Sequence, residues 1–325
     1  MNDALYLATT WETASDSDPL EDIDALSTES FEIDHHPTEY RFGRLYSVLH
    51  RDEHPWPIDE LERDRLEEQY NLLRELFQDR LFLAPIASPR SVLDIKTSTG
   101  CWAVECGKYS QLEPTDRHPS SIVSGVDLVR MQPEWVPPNC EFFIDNLRQP
   151  GWHIHYTDVE LIHISRLHGD RHLLSLLLEG SYSCCLPGGW VEICDMSVQL
   201  DEPGENSAFH NFFRDVETAY ARDGRQVDLP LHFETELTRH GFINVTEQSI
   251  QIPLWTESCD ELTRRIIRNW AAGLEAYSFA LMDKYLGKCY LDMILMCAFA
   301  RGALQNGIKG VLQIQVAYGQ KPRWN

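Results

Sequence analysis

The fold is decided by the stretch Ser91-Val92-Leu93-Asp94-Ile95-Lys96-Thr97-Ser98-Thr99-Gly100-Cys101-Trp102-Ala103. Its apolar start ends in the acid Asp94, which is typical of a buried strand, and Thr97–Gly100 then predicts a turn that leads into a helix. A second acid, Asp127, ends another apolar run about thirty residues later. In nucleoside-binding sheets such a turn approaches the ligand, and the later acid accepts hydrogen bonds from ribose hydroxyls. The stretch therefore predicts a nucleoside site at the ends of two strands.

Strands and helices alternate on both sides of this stretch. Strands are predicted at Ser91–Ile95, Ser121–Val126, Glu141–Ile144, Val159–Ile164, Trp190–Cys194, Asn244–Ile252 and Val311–Tyr318. Helices are predicted at Asp59–Leu83, Trp102–Tyr109, Leu173–Tyr182, Ser207–Arg222, Phe233–His240, Cys259–Ala280 and Tyr290–Leu304, with a tight turn at Leu186–Gly189. The alternation indicates an α/β protein with an open sheet, and ligands bind such sheets outside the carboxyl ends of the strands.

The composition excludes several classes of protein. Of the 325 residues, 43% are hydrophobic and 24% are charged, as in soluble globular proteins. The net charge of -23 argues against a nucleic-acid-binding face or an anionic membrane surface, since both need clustered Lys and Arg. Apolar runs such as Met293–Ala300 are far shorter than the roughly 18 residues of a membrane span. No secretory signal is visible, so we expect a cytoplasmic protein, with the nucleus as the alternative.

Nine cysteines are present, an odd number, and none forms a CxxC pair. A zinc site would want paired spacings with His or Cys partners, and a disulfide scaffold would be shorter and denser in cysteine. We therefore expect free, mostly buried thiols and no metal site.

The N-terminal segment is strongly acidic. Residues 1–40 contain eleven Asp or Glu and no Lys or Arg. Two interpretations of residues 1–39 stay open, a mobile tail and a lid over the active site. The lid would be anchored by the apolar side chains Trp11, Leu20, Ile23, Leu26, Phe31 and Ile33.

From about Tyr40 to its C-terminus the sequence resembles the fungal LaeA-like S-adenosylmethionine-dependent methyltransferases. The resemblance is carried by Val92–Ala103, Gly125–Leu128, Met131–Cys140, Ile144–Asn146, Ile162–Ile164 with Arg166, Leu186–Glu192 and Tyr318–Pro322. It implies an α/β class I methyltransferase fold, which is a Rossmann-like open sheet with an antiparallel final hairpin, helical insertions and an N-terminal helical lid. The domain would span residues 40–325, with a helical insertion on the acceptor side around 200–305.

The resemblance also implies a cofactor, S-adenosylmethionine or its product S-adenosylhomocysteine. Asp127 would bind the ribose, Asp145 and Asn146 would flank the adenine, and His163 to Arg166 would lie beneath the methionine part and the acceptor. The cofactor-binding residues that it implies are Asp94, Lys96, Thr97, Gly100, Trp102, Asp127, Leu128, Asp145, Asn146, Ser165 and Arg166.

Two residues depart from the family's loop, which reads Asp-Ile-Gly-Thr-Gly-Thr-Gly. Lys96 and Ser98 replace its first two glycines. Glycine serves where φ must be positive, and another residue there costs roughly 1–2 kcal/mol. The Lys96 charge would repel a sulfonium by about 3 kcal/mol at ~5 Å and an effective dielectric of ~20. If Lys96 pairs with the cofactor's carboxylate instead, the sign reverses, and the sequence leaves both open.

Histidines near the end of the fourth strand are candidate catalytic bases. A side chain with a pKa near 6.5 can take a proton from an acceptor hydroxyl at neutral pH, so His163 and His168 are predicted to be catalytic. His172, which opens the next helix, is a weaker candidate. Aromatic residues outside the core strands would suit an apolar or planar small molecule. They are Tyr40, Phe42, Tyr46, Trp56, Phe209, Phe212, Phe213 and Trp255.

Three hypotheses about function follow. The first is methyl transfer to a hydroxyl of a small molecule of secondary metabolism. The second keeps the fold but makes the altered loop part of a cyclase or isomerase. The third is a non-catalytic regulator that binds a protein partner or forms a homodimer, with the acidic segment as a contact.

Overall fold

A seven-stranded sheet organises the part of the chain that the computed structural model describes, residues 37–112, 121–201, 207–254 and 260–323. The predicted tail or lid, except for its last residues, and Trp255 lie outside these ranges. The strands of the sheet are β3 (Ser91–Ile95), β4 (Ile122–Asp127), β5 (Cys140–Ile144), β6 (Val159–Ser165), β7 (Cys185–Leu200), β8 (Ile243–Pro253) and β9 (Gly310–Gln320). A separate antiparallel hairpin pairs β1 (Thr38–Arg41) with β2 (Arg44–Ser47).

The strand order is β5-β4-β3-β6-β7-β9-β8. Strands β3 to β7 run parallel, whereas β9 is antiparallel to both β7 and β8. The helices are α1 (Glu60–Leu76), α2 (Cys101–Leu112), α3 (Arg171–Cys184), α4 (Ala208–Arg222), α5 (Phe233–Arg239), α6 (Glu261–Ala272), α7 (Leu274–Leu286) and α8 (Tyr290–Gln305). This confirms the class I methyltransferase sheet with its antiparallel final hairpin.

Both faces of the parallel strands are covered by helices, which is why these strands are apolar at successive positions. Val92 and Leu161 pack with α2, and Leu93 and Ile162, one residue further along, pack with α3 on the opposite face. Since side chains alternate along a strand, Asp94 and His163 share the α2 face with Val92 and Leu161. A second core joins α4, α6, α7 and α8 to β7, β8 and β9. The helices of the predicted insertion around 200–305 thus pack on the sheet through a second apolar core.

Several predicted boundaries are wrong. The Leu186–Gly189 stretch is no tight turn, because β7 begins at Cys185 and the extra length is absorbed by a register shift against β6 and a positive φ at Gly188. The single helix predicted at Cys259–Ala280 is two helices, because α6 ends at Ala272 with Gly273 as its C-cap and α7 begins at Leu274. The first helix ends at Leu76 rather than Leu83, since Gln78 and Asp79 adopt positive φ.

Within the described ranges, no helix is both long and apolar enough to cross a bilayer. The same ranges contain no cluster of three or more His, Cys, Asp or Glu side chains that would bind a metal ion. The cysteines assigned in the structure are free.

Candidate active site

The loop after β3 keeps a glycine-like backbone although two of its residues are not glycine. The φ angles of Lys96, Ser98 and Gly100 are +58°, +55° and +77°. The loop is held by the Thr97 amide, which donates to the Val126 carbonyl at 3.0 Å, and by the Ser98 backbone, whose amide donates to Asp127 and whose carbonyl accepts from the Gln132 side chain. The sequence-based expectation of positive φ at these positions is confirmed, and two side chains therefore sit in a conformation that L-residues rarely adopt.

Asp127 fixes this loop from the end of β4. Its Oδ2 accepts a hydrogen bond from the Ser98 amide and its Oδ1 accepts one from the Leu128 amide, both at 2.7 Å. The side chain is buried. An ionised carboxylate has about four acceptor sites, so two remain for a ligand such as a ribose. Asp127 therefore stabilises the loop and also has acceptor sites left to bind a ligand.

A cleft of about 360 Å³, the β5 cleft, opens beside Asp127 at the ends of β4 and β5. Asp145 and Asn146 line it together with Leu128 and Lys96. The Oδ2 atom of Asp145 is buried and accepts no hydrogen bond from the described residues, and burial raises the pKa of this carboxyl group. An unpartnered buried acceptor beside a ribose-type acid suits the amino group and hydroxyls of an adenosine. The residues present thus fit the adenosine half of S-adenosylmethionine.

Lys96 extends from the β5 cleft into a second, central cleft of about 420 Å³. Burial lowers the pKa of the Lys96 ammonium, and Asp127 is the carboxylate that most opposes this effect. Among the described residues, no carboxylate lies within 4.0 Å of the ammonium group. The side chain thus faces the predicted cofactor site, and both predicted effects of its charge stay open.

The loop after β6 is also strained. Arg166 and His168 have φ angles of +55° and +50°. The His168 ring lies 4.4 Å from the ring of Trp56, and its carbonyl accepts a hydrogen bond from Arg225. Burial, with the positive charges of Lys96 and its arginine neighbours, lowers the pKa of His168 well below 6.5. His168 is therefore a weak base, and its catalytic role stays a prediction.

His163 is held by a buried carboxylate. Its Nδ1 lies 2.8 Å from Oδ1 of Asp94, and Oδ2 of Asp94 accepts a hydrogen bond from the Thr97 hydroxyl at 2.6 Å. The ring stacks on Trp102, with 4.2 Å between centroids and 6° between planes. We assign the proton to Nδ1 because the carboxylate accepts. Nε2 makes no hydrogen bond with a described residue and is left as an acceptor.

This imidazole lies in the floor of a third cleft of about 860 Å³, the imidazole cleft. Glu192, the neighbour of His163 in the sheet, accepts hydrogen bonds from the Leu83 and Ala84 amides at 2.7 Å each. Burial raises the pKa of Glu192. The other walls of the imidazole cleft are largely apolar and include Tyr70, Leu73, Phe77, Leu81, Phe82 and Trp102. The cleft joins a polar floor to a surface suited to an apolar molecule.

A fourth cleft of about 850 Å³, the aromatic cleft, lies between the sheet and the helical insertion. Of the predicted aromatic wall, Phe212 and Phe213 line it and Trp56 lines the central cleft, whereas Phe209 is fully buried in the core and Tyr40 is 83% exposed. Phe42 and Tyr46 line none of the four clefts. Tyr220, Trp270 and Tyr277 also line the aromatic cleft but were not predicted to, because aromatic residues on amphipathic helices have the same sequence pattern as core residues.

The predicted cofactor residues fall into two groups. Lys96, Asp127, Leu128, Asp145 and Asn146 line the β5 cleft, and Asp94, Thr97, Trp102, Ser165 and Arg166 line the imidazole cleft. Gly100 lines none of the four, and a Cβ there would lie 2.4 Å from the Phe142 ring, so packing requires this glycine. His172 is exposed at the start of α3, away from all four clefts.

The parallel sheet, its antiparallel hairpin and the acids at the strand ends define a class I methyltransferase. No family model matches the sequence. Methyltransferase pytC of Aspergillus terreus is 30% identical over 299 residues, which cover 87% of this chain and 88% of pytC. Secondary metabolism regulator LAE1 of Cochliobolus heterostrophus is 28% identical over 256 residues, or 74% of this chain and 80% of the regulator. The chain belongs to the fungal LaeA-like methyltransferases, whose cofactor is S-adenosylmethionine.

Solved structures with a similar fold are more distant in sequence. Phosphoethanolamine N-methyltransferase 2 of Haemonchus contortus, in complex with S-adenosyl-L-methionine, is 12% identical with a TM-score of 0.45, over 79% of this chain and 53% of that one. The cyclase SpnF is 13% identical with a TM-score of 0.44, over 78% and 80%.

Proposed function

We propose that the protein transfers a methyl group from S-adenosylmethionine to a hydroxyl of a small, largely apolar molecule. The observation that carries this proposal is the Asp94–His163 pair in the floor of the imidazole cleft. A histidine whose Nδ1 is fixed by a buried carboxylate presents Nε2 as a general base. Thr97 bonds to Asp94 and belongs to the cofactor loop, so the base and the loop share one hydrogen-bonded unit.

Each group of residues has a distinct task in this reaction. S-adenosylmethionine supplies an electrophilic methyl group when it is bound. Asp127, Asp145 and Asn146 would hold its adenosine half, and the strained loop after β3 would lie against the remainder. His163 Nε2 accepts the proton of the acceptor hydroxyl, while Asp94 stabilises the imidazolium that forms. General bases of this kind contribute about 10²–10⁴-fold to the rate, and orientation contributes much of the rest.

The acceptor has space in two adjacent clefts. Gln69, Arg166, Asp195 and Met196 line both the imidazole and the aromatic cleft, so the two are neighbours. Their walls are mostly apolar or aromatic, which suits a small molecule of secondary metabolism. Removing that surface from water would supply the binding free energy, and the few polar groups would orient the hydroxyl.

His163→Gln tests the proposal. We expect kcat/KM for methyl transfer from labelled S-adenosylmethionine to a panel of apolar phenols such as 2-naphthol to fall about 10²–10⁴-fold. S-adenosylhomocysteine affinity should change little, since His163 lines the imidazole cleft and not the β5 cleft. His172→Gln is the matched control, because His172 is exposed and lines none of the four clefts. Absence of methyl transfer to any phenol by a protein that binds the cofactor would contradict the proposal.

A second candidate function is cyclisation or isomerisation on the same fold. The observation that favours it is Lys96, whose side chain faces both the β5 and central clefts. Product formation that continues when S-adenosylhomocysteine replaces S-adenosylmethionine would support this candidate, because S-adenosylhomocysteine has no methyl group to transfer.

A further inference from the structure

Arg166 stands where three of the four clefts meet. It lines the imidazole, the aromatic and the central cleft, but not the β5 cleft. It follows β6 directly, two residues after Ile164 in the sheet. The side chains with the largest electrostatic effect on the Arg166 guanidinium are Arg65 and Glu62 of α1 and Tyr277 of α7. The guanidinium therefore lies between the cofactor loop, which lines the central and imidazole clefts with it, and the helices that cover the acceptor side.

The guanidinium of Arg166 has no counter-ion in the part of the chain that the structure describes. Among the described residues, it makes no hydrogen bond and has no carboxylate within 4.0 Å. The neighbouring Arg65 differs, since Glu62, Gln69 and Tyr277 all accept its hydrogen bonds. Burial, assisted by the charge of Arg65, lowers the pKa of Arg166. An unpaired cation that is partly removed from water is unfavourable, and an anion in the clefts would relieve that penalty.

The backbone holds Arg166 at this junction against a local cost. Its φ of +55° is disfavoured for an L-residue by roughly 1–2 kcal/mol, and His168 two residues later has the same strain. Asp195 secures the loop by accepting a hydrogen bond from the His168 amide at 3.2 Å. Such strain persists where the surroundings impose it, and it clusters at functional sites. The loop thus holds the backbone of Arg166 in a fixed place at the junction of the three clefts.

We propose that Arg166 binds a carboxylate of the methyl acceptor, so that the substrate class is an apolar, aromatic or alicyclic carboxylic acid. This inference rests on the proposed function, because it names the acceptor of the same site. The planar guanidinium matches a carboxylate through two parallel hydrogen bonds, and the surrounding walls suit an apolar body. Phe212, Phe213 and Trp270 of the aromatic cleft would contact that body.

Calorimetry with a matched pair of ligands tests the proposal. The probes are 2-naphthoate and the neutral 2-naphthamide, titrated into the wild type and into Arg166→Gln. We expect the variant to bind 2-naphthoate at least tenfold more weakly and 2-naphthamide equally well. Arg268→Gln is the control for net charge, because Arg268 is exposed on α6 and makes no ion pair closer than 3.8 Å, to Glu261, with any residue that the structure describes. Its affinity for both probes should equal that of the wild type.

The cofactor's own carboxylate is the competing partner of Arg166. S-adenosylhomocysteine carries that carboxylate and 5′-methylthioadenosine lacks it. If Arg166→Gln weakens the first tenfold and leaves the second unchanged, the guanidinium binds the cofactor and the proposal is overturned. Equal 2-naphthoate affinity in the wild type and the variant, or no binding to the wild type at millimolar concentrations, also overturns it.

A variant that fails to fold does not remove the test. Arg166→Lys keeps the charge but loses the planar fork, and we expect it to bind 2-naphthoate more weakly than the wild type. Unchanged affinity in that variant would count against the proposal. Failure of the proposed function would be seen separately, as a wild type that binds 2-naphthoate through Arg166 but neither binds S-adenosylhomocysteine nor transfers a methyl group.

Discussion

Lys96 and Ser98 carry side chains at backbone angles that glycine adopts without cost. Their φ angles of +58° and +55° lie in the left-handed region, and the Gln132 side chain and Asp127 hold Ser98 in place. The strain is thus imposed by contacts around the loop. The same substitution also puts a cation into the β5 and central clefts. Strain and charge are separable by experiment.

The double variant Lys96→Gly/Ser98→Gly should be more stable than the wild type. Relief of strain contributes roughly 1–2 kcal/mol per residue, and the greater freedom of glycine in the unfolded chain offsets about 0.5–1 kcal/mol of each. We expect a net gain of about 1–2 kcal/mol in the free energy of unfolding, measured by urea denaturation. Asp79→Gly is the control for strain away from the clefts, since Asp79 has a φ of +62° in the exposed loop after α1. A double variant that is less stable than the wild type would show that side-chain contacts outweigh the strain.

The same double variant reports on the Lys96 charge. If the ammonium repels a sulfonium, the wild type should prefer S-adenosylhomocysteine over S-adenosylmethionine, and the variant should lose that preference. Full repulsion at ~5 Å would be about 3 kcal/mol, so even half of it changes the preference about tenfold. Lys96→Met, which keeps the length of the side chain, should behave as the double variant does. If binding of both ligands weakens together, Lys96 instead pairs with their shared carboxylate.

Substitutions of Asp127 and Asp145 should affect ligand binding and stability differently. Asp127→Ala leaves the Ser98 and Leu128 amides unpaired, so we expect the variant to lose about 1.5–3 kcal/mol of stability along with S-adenosylhomocysteine affinity. Asp145→Asn removes an acceptor whose Oδ2 has no described partner, so it should weaken binding about tenfold or more without that loss.

The difference in stability between the wild type and Asp145→Asn should depend on pH with a definite sign. Burial raises the folded-state pKa of Asp145, so its stabilising contribution is present at low pH and disappears as pH rises through that pKa. Asp145→Asn should therefore equal or exceed the wild type in stability at pH 7 and lose this advantage in acid. Thermal unfolding at several pH values checks the expectation. A destabilised Asp145→Asn at neutral pH would mean that the ionised carboxylate has a partner in the folded protein.

At the scale of elements, α1 depends on the hairpin that precedes it. Asp59 caps the helix by accepting from the Glu62 amide, and it also accepts two hydrogen bonds from Arg44 of β2. Burial alone would raise the pKa of Asp59, but the hydrogen bonds from Arg44 and two backbone amides lower it overall. The stability that Asp59 provides is therefore present above its unfolded pKa of about 3.9 and is lost as pH falls below it.

Asp59→Ala should cost about 2–3 kcal/mol, from a lost helix cap and lost charged hydrogen bonds. Because α1 lines the imidazole and aromatic clefts, acceptor binding should weaken with it. Asp260→Ala is the matched control, since Asp260 caps α6 through the Thr263 amide and has no arginine partner among the described residues. We expect a smaller loss there, measured by urea denaturation at pH 7. Equal losses in the two variants would show that the Arg44 contact contributes little.

The sequence predicts elements better than it predicts contacts between them. Apolar runs of four to six residues predict the strands β3 to β6, because a buried parallel strand is apolar on both faces. The hairpin of β1 and β2 was missed, and so was the break at Gly273, since an apolar helical pattern continues through it. The pairing of Asp94 with His163 requires the register of β3 against β6, which a single sequence does not contain.

In the candidate site, too, the sequence predicts which residues take part better than it predicts their long-range contacts. Asp127, Asp145 and Lys96 were predicted from the ends of strands and the departure from the family's loop, and the structure brings them to one cleft. Arg166 was predicted as a cofactor residue, but its place among three clefts depends on α1 and α7, which reach it from distant parts of the chain. Long-range packing of this kind has no local signal in the sequence.

At the scale of the whole molecule, charge is the dominant property. A net charge of -23 opposes the compact state through self-repulsion, and salt screens that repulsion with a Debye length of about 10 Å at 0.1 M. Residues 1–36 contain ten acidic and no basic residues, so a chain without them has a net charge of -13. Much of the electrostatic cost is therefore concentrated at one end of the sequence.

Deletion of residues 1–36 should leave the free energy of unfolding unchanged or slightly higher at low salt, because it removes self-repulsion and leaves the described core intact. The increase in melting temperature between low and high salt should be smaller in the truncated protein than in the full chain. The full chain with ten neutral substitutions, Asn for Asp and Gln for Glu in this segment, is the matched control, since it removes the charge and keeps the length.

If the segment is a tail, we expect S-adenosylhomocysteine and acceptor affinities to be equal in all three proteins. A lid predicts weaker affinities after deletion and near-normal affinities in the neutral control, because the apolar anchors Trp11, Leu20 and Phe31 remain there. A large fall in melting temperature on deletion would contradict the electrostatic argument and assign the segment a part in the core.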